Sequence, residues 1–164
     1  MNEWNNFWPA IAGAAATLTG LIFVGMSFSL QKLLSNAYLV VRAMQSLILL
    51  LIVLVIAIVN LIPGQPARLL GMEIATISTI VWLINIRIDI KSFRNIENKY
   101  KKYVRQNILL NQIAILPYLI AGITLCCNVT SGVYWLVPAI IFSLIKGVFD
   151  AWVLVIEIYR QSFL

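Results

Sequence analysis

Residues 87–105 read RIDIKSFRNIENKYKKYVR, and this polar run decides how the rest of the chain is interpreted. It contains seven basic residues against two acidic ones, and a long apolar segment lies on each side of it. Lys and Arg in short loops beside membrane spans remain on the cytoplasmic side of the bilayer. We therefore expect a cytoplasmic stretch here, flanked by transmembrane helices.

The composition of the chain is that of a membrane protein. Of its 164 residues, 62% are hydrophobic and 11% are charged. An average soluble domain carries about 25% charged residues. A membrane span needs about 20 mostly apolar residues, so five spans and their short loops would use nearly the whole chain. We therefore predict an all-α integral membrane protein, with no room for a separate soluble catalytic domain.

Five apolar segments are long enough to cross a bilayer. We predict spans one to five at residues 10–30, 40–62, 67–88, 107–127 and 133–159 of a single transmembrane domain. Spans three and four are expected to continue as helices into the polar run, with a break near residues 95–98. The chain therefore forms a bundle of five transmembrane helices.

Alternation of the spans fixes their orientation once residues 87–105 are placed in the cytoplasm. The N-terminus and the turns at residues 63–66 and 128–132 then lie outside, and the C-terminus is cytoplasmic. Lys32, Arg42 and Arg160 fall on the cytoplasmic side, as the same rule requires. The first residues lack the basic segment that begins a signal peptide, so we expect span one to remain in the mature protein.

The net charge of +6 indicates a lipid bilayer as partner, and not nucleic acid, because the positive charge lies beside membrane spans. An anionic leaflet attracts each such residue by about 1 kcal/mol. A topogenic role is sufficient to explain these bases. The alternative is contact with a specific lipid or partner protein through Arg94, Lys99, Lys101, Lys102 and Arg105.

Residue types that carry catalysis are scarce in this chain. It has no His, which removes His-based metal sites and His-activated nucleophiles. Its two cysteines, Cys126 and Cys127, are neighbours in an apolar segment, where we expect them to pack as small hydrophobic residues. No nucleotide-binding loop or zinc pattern occurs. We expect no enzymatic activity, no metal and no cofactor.

Charged residues within the spans are the candidates for function, because each costs about 2.5–3.5 kcal/mol at the centre of a membrane helix on insertion scales. Lys146 and Asp150 are spaced i, i+4 and should lie on one face of span five, together with Glu157. Arg42, at the start of span two, is expected to pair with Asp150 or Glu157. This face is either a dry ion pair that joins helices or a water-lined path for ions or protons.

Glu73 lies in span three without a basic residue four positions away, since Arg68 is five positions before it. A carboxyl group in this position is expected to hydrogen-bond a neighbour or reach the membrane interface, or alternatively to gate or relay protons.

Span one carries small residues at intervals of four: Ala12, Ala16 and Gly20. Such stripes allow helix backbones to approach closely in lipid. We expect this stripe to pack inside the protomer, or alternatively to form a subunit interface or line a pore.

Several segments resemble a group of small bacterial inner-membrane proteins, some of which are labelled modulators of FtsH protease. The similar segments are AAATLTGLIFV at residues 14–24, Arg42-Ala43, LIPGQ at residues 61–65, and Gly71 with Glu73. The resemblance covers about the first half of the chain. It implies a bacterial inner-membrane protein and a role beyond packing for Arg42, the Pro-Gly-Gln turn and Glu73.

Two functions remain open from the sequence. The first is a homo-oligomeric pore or small-ion pathway, lined by the polar stripes of spans one and five around an axis. The second is a non-conducting accessory protein that binds another membrane protein through span one and the basic stretch. Secondary transport is a third class, but the spans show no internal repeat of the kind that many transporters carry.

Overall fold

A computed structural model describes residues 4–28, 30–35, 37–95 and 101–160. These form six α-helices, namely α1 (Phe7–Phe28), α2 (Leu30–Ser35), α3 (Ala37–Asn60), α4 (Ala67–Asn95), α5 (Lys101–Cys126) and α6 (Leu136–Arg160), with a 3-10 turn at Thr130–Trp135 before α6. All except α2 are long and apolar enough to cross a membrane. The described chain is therefore all-helical with five helices of membrane-spanning length, as the sequence predicts.

The helices continue into the polar run beyond the apolar spans, as the sequence predicts. Helix α4 continues to Asn95, well beyond residue 88, and α5 begins at Lys101 instead of 107. Hydropathy locates only the apolar part of a helix, whereas the backbone hydrogen bonds continue into the polar part. The predicted break at residues 95–98 lies almost wholly outside the described residues.

Helices α3, α4, α5 and α6 form the body of the bundle, and α1 packs on the outside of α3. The largest core cluster is apolar and includes Ile52 and Ile56 of α3, Tyr118 of α5 and Leu136 and Ile140 of α6. All five of these side chains are almost completely buried. The half of the bundle that holds them is therefore a dry, closely packed core.

Helices α4 and α5 approach each other closely because glycine occupies the contact points. A Cβ atom at Gly122 would lie 2.6 Å from the backbone nitrogen of Ala75, and one at Gly71 would lie 2.5 Å from that of Cys126. Neither distance is compatible with a side chain. Gly71 and Gly122 therefore set the close packing of α4 against α5.

Aromatic residues tie the start of the chain to the 3-10 turn. The Trp4 ring packs edge-on against Tyr134, with 5.5 Å between ring centroids, and stacks on Trp8 at 5.9 Å. The N-terminal segment therefore lies at the same end of the bundle as residues 128–132. We call this the turn end, and the opposite end, where α4 stops and α5 starts, the basic end.

The stripe predicted in span one faces mostly away from the protein. Ala12 packs against the core, but Ala16 and Gly20 are exposed. A Cβ atom at Gly20 would meet nothing within 4 Å. The expected packing of this stripe within the protomer is thus limited to Ala12, because α1 has only α3 as an extensive neighbour.

The outward face of α6 is apolar. Ile145, Phe149 and Trp152 are 62%, 56% and 64% exposed and lie on the side of the helix opposite its buried polar residues. Large apolar side chains on the surface of such a helix are suited to contact with lipid. The polar face of α6 consequently points into the protomer.

Candidate functional site: a buried polar cluster

Each of the four central helices brings a pair of polar residues to one place near the basic end. We call this set the polar cluster: Arg42 and Gln45 of α3, Asn85 and Asp89 of α4, Asn107 and Asn111 of α5, and Lys146 and Asp150 of α6. The members of each pair are three or four residues apart, so they share a helix face. The cluster forms because these four faces all point towards the bundle axis.

Asp150 is the centre of charge pairing in the cluster. Its carboxylate accepts a hydrogen bond from Lys146 Nζ, one turn earlier on α6, and Arg42 Nη2 lies 3.2 Å from Asp150 Oδ1. Asp150 is 1% exposed and Lys146 is 6% exposed. The i, i+4 pairing and the participation of Arg42 are those expected from the sequence, and Asp150 is the acid that Arg42 contacts.

Two amide side chains connect this ion pair to a second carboxylate. Lys146 Nζ donates to Asn107 Oδ1 at 2.7 Å, and Asn107 Nδ2 donates to Gln45 Oε1 at 3.2 Å. Gln45 Nε2 in turn donates to Asp89 Oδ1 at 2.6 Å. Every donor in this chain points from the lysine towards the carboxylate, so the amide dipoles stabilise both the positive and the negative end.

The cluster is balanced in formal charge, because it contains two basic and two acidic side chains. The balance is uneven in space, however. Asp150 touches both Arg42 and Lys146, whereas Asp89 accepts hydrogen bonds from the amide groups of Gln45 and Asn111, the latter at 3.4 Å. Asp89 is only 4% exposed. Along the chain of hydrogen bonds, the Asp89 carboxylate is thus separated from the Lys146 ammonium group by the amide groups of Asn107 and Gln45.

Among the residues that the structure describes, three oxygen atoms of the cluster are buried without a hydrogen-bond partner: Asn85 Oδ1, Asp89 Oδ2 and Asn111 Oδ1. Asn85 and Asn111 are completely buried. Leaving a buried polar atom unpaired costs about 1–3 kcal/mol, and more when the group is charged. This part of the cluster therefore presents several acceptors and no donor to satisfy them.

The polar cluster is closed towards the turn end. Ser46 Oγ donates to the carbonyl oxygen of Gly147 at 2.8 Å, and Tyr118 Oη donates to Ser143 Oγ at 3.2 Å. Beyond Tyr118 begins the apolar core of the bundle. In this conformation the described residues leave no polar route between the cluster and the turn end.

Towards the basic end the cluster borders a small cavity of about 10 Å³, lined by Val41, Arg42, Gln45, Asp89, Ser92, Val104 and Asn107. This is about the space that one water molecule requires. Arg42, whose side chain is 18% exposed, lies at its edge. The cluster is therefore nearer to solvent at the basic end than at the turn end.

Of the remaining predicted residues, Glu73 lies outside the cluster. Glu73 lies near the turn end, where its Oε2 accepts a hydrogen bond from Gln65 Nε2 at 2.6 Å. A hydrogen bond to a neighbour is one of the roles that the sequence predicts for Glu73. The side chain of Glu157 lies outside the described part of the structure, although its backbone belongs to α6.

The basic residues predicted to contact lipid or a partner lie at the basic end where they are described. Arg94 and Arg105 are exposed, and Lys101 lies 5.6 Å above the ring of Phe93. Lys99 and the side chain of Lys102 are outside the described residues. The described bases thus surround the end of the bundle that is nearest to the polar cluster.

Sequence reasoning missed the importance of Asn85, Asp89, Asn107 and Asn111. Asp89 belongs to the polar run by sequence, two residues after its first residue, Arg87. Its side chain nevertheless turns into the bundle and is buried. The available signal was the i, i+4 spacing of Asn85 with Asp89 and of Asn107 with Asn111. The same i, i+4 spacing predicts the pairing of Lys146 with Asp150.

Comparison of the chain with protein-family models, with curated proteins and with solved structures found no significant match.

Proposed function

We propose that the protein is a multi-pass protein of a bacterial cytoplasmic membrane that carries a small cation through the helix bundle of each protomer, by way of the polar cluster. In this proposal the basic end faces the cytoplasm, as the excess of Lys and Arg requires. The N-terminus and the turn end then face outward.

The observation that carries this proposal is the buried Asp89 carboxylate with one unpartnered oxygen. Ion pairs that only hold helices together can often be replaced by apolar residues without loss of stability. A carboxylate that is costly to bury and incompletely paired is better explained by a ligand of opposite charge. Ionisable groups inside a membrane bundle mark such ion paths in many proteins.

The path runs inside the protomer and not along an axis between protomers. The polar face of α6, formed by Ser143, Lys146 and Asp150, is already buried against α3 and α5. An axial pore would need this face on the outer surface, where Ile145 and Phe149 are instead exposed.

Transport across the membrane requires a second conformation, because the apolar core separates the cluster from the turn end. Pro117 lies inside α5, next to Tyr118 at the boundary between the two regions. Since proline lacks the backbone N–H, it removes one helical hydrogen bond and weakens α5 at this point. A bend of α5 at Pro117 is the simplest movement that would open the apolar core towards the turn end.

Ion flux into vesicles containing the purified protein tests this proposal. We expect wild-type protein to carry a cation current or tracer flux above that of empty vesicles, and Asp89→Asn to reduce it at least tenfold. Glu73→Gln is the matched control, since it removes a carboxylate outside the cluster. Absence of flux from well-folded wild-type protein would reject the proposal.

A second candidate function is that of an accessory protein that binds the helix of another membrane protein. The outward-facing small residues of α1 favour it, because Gly13, Gly20 and Gly25 all face open space. Small residues on a membrane helix permit close approach of a second helix. This function predicts no flux, together with a co-purifying membrane protein that Gly20→Leu releases.

A further inference from the structure

The three unpartnered oxygens of the polar cluster lie on facing sides of α4 and α5. Asn85 and Asp89 are one turn apart on α4, and Asn111 of α5 donates its Nδ2 to Asp89 Oδ1 at 3.4 Å. The Nδ2 of Asn85 is used by the Val81 carbonyl oxygen at 3.0 Å. One carboxylate oxygen and two amide oxygens of these three residues thus have no hydrogen-bond partner among the described residues.

From this geometry we propose that Asn85, Asp89 and Asn111 form a binding site for a single monovalent metal cation, with Na⁺ as the probe. The inference names the ion and the ligands of the proposed pathway, and so it rests on the proposed function. The binding step itself can be measured without any transport.

A count of donors and acceptors favours a metal ion over a proton or a water molecule. A proton on Asp89 Oδ2 would be donated to one amide oxygen and would leave the other amide oxygen unpaired. A water molecule has two hydrogens and would satisfy two of the three oxygens. A hard metal cation can be coordinated by all three oxygens, because carboxylate and amide oxygens are the ligands that such ions take in proteins.

The surrounding charge favours a single positive charge over a double one. Asp89 is the one carboxylate of this site, since Asp150 is committed to Lys146 and Arg42. The polar cluster is balanced without an ion, so a monovalent ion adds one positive charge to this buried region, whereas a divalent ion would add two. Lys146 is two amide groups away and therefore leaves Asp89 available to the ion.

Asp89 also lines the small cavity at the basic end, which has room for about one water-sized particle. The ligand residue is therefore adjacent to the nearest space that an ion could enter. Ser92, which also lines this cavity, adds a hydroxyl oxygen along the same face of α4.

Thermal unfolding of the purified protein in detergent tests the site. We compare NaCl with choline chloride at equal ionic strength, so that general salt effects cancel. A ligand that binds only the folded protein raises the melting temperature with its concentration. We expect a saturable rise with Na⁺ in the wild type, and its loss in Asp89→Asn, Asn85→Ala and Asn111→Ala.

Matched controls are Glu73→Gln and Asn60→Ala, which alter the same chemical groups away from the site. Asn60 donates its Nδ2 to the Ile56 carbonyl oxygen of its own helix. Both controls should keep the Na⁺-dependent rise. If Asp89→Asn does not fold, the wild-type comparison and the two Asn variants still decide the question.

Three results would overturn the inference. One is an equal melting temperature in Na⁺ and choline, and another is a Na⁺-dependent rise that survives in all three site variants. The third is stabilisation by acid alone, which would mean that Asp89 takes a proton. Na⁺ binding without flux keeps the site and rejects the transport function, whereas flux without Na⁺ binding does the reverse.

Discussion

At the residue scale, the protein places four charged side chains in its polar cluster and satisfies them very differently. Asp150 lies between two cations, while Asp89 is held by amide groups and keeps one oxygen unpaired. The first arrangement stabilises the fold, and the second provides the site for a ligand. The amide chain through Asn107 and Gln45 joins the two.

We expect Asp150→Asn to lower the free energy of unfolding by about 3–5 kcal/mol, because it leaves two buried cations without their acid. Unfolding by denaturing detergent, followed by circular dichroism, measures the loss. The neighbouring variant Phe149→Leu alters an exposed, outward-facing side chain and should change stability by less than about 0.5 kcal/mol. Equal stability of the two variants would show that the pairing is not structural.

Combining Lys146→Met with Asp150→Asn in one double variant measures the interaction energy between the two side chains, apart from the effect of each substitution alone. The double variant removes one of the two stranded cations, so its loss of stability should be smaller than the sum of the single losses. Strict additivity would contradict the direct contact between Lys146 and Asp150.

At the scale of helices, two kinds of small residue have separate roles. Gly71 and Gly122 allow α4 and α5 to touch inside the protomer, whereas the small residues of α1 face outward. The sequence pattern could show that α1 carries a stripe, but not which surface it meets. That depends on the position of α1 on the edge of the bundle, which is a property of the tertiary arrangement.

We predict that Gly122→Leu lowers the free energy of unfolding of the protomer by about 1–3 kcal/mol or more. The leucine side chain would overlap the backbone of Ala75. Gly20→Leu introduces the same side chain into open space and should leave the stability of the protomer unchanged. Unfolding in detergent compares the two variants directly. A large loss in Gly20→Leu would mean that α1 packs within the protomer through this face.

The helices themselves were predictable, because long apolar segments leave few alternatives in a chain of this composition. The ion pair was predictable as well, because Lys146 and Asp150 lie on the same helix. The partners Asn107, Gln45 and Asp89 come from three different helices, and their meeting depends on helix order and rotation. No local spacing contains that information. Asp89 lies within the polar run, so its sequence position indicates an exposed residue and not a buried one.

At the scale of the whole molecule, the bundle has a dry half at the turn end and a polar half at the basic end. The apolar outer surface and the buried polar cluster suit a protein whose ion path lies within one protomer. Association through α1 would then assemble several separate paths, and not one shared pore. The number of protomers needed for flux distinguishes these arrangements.

The most direct measurement is ion flux in vesicles over a dilution series of protein to lipid. If each protomer carries its own path, the fraction of active vesicles should follow the probability that a vesicle contains at least one protomer, and Asp89→Asn should abolish activity at every dilution. A fraction of active vesicles that falls much more steeply on dilution would require a pore shared between protomers. That result, or no flux at any dilution, would contradict the account.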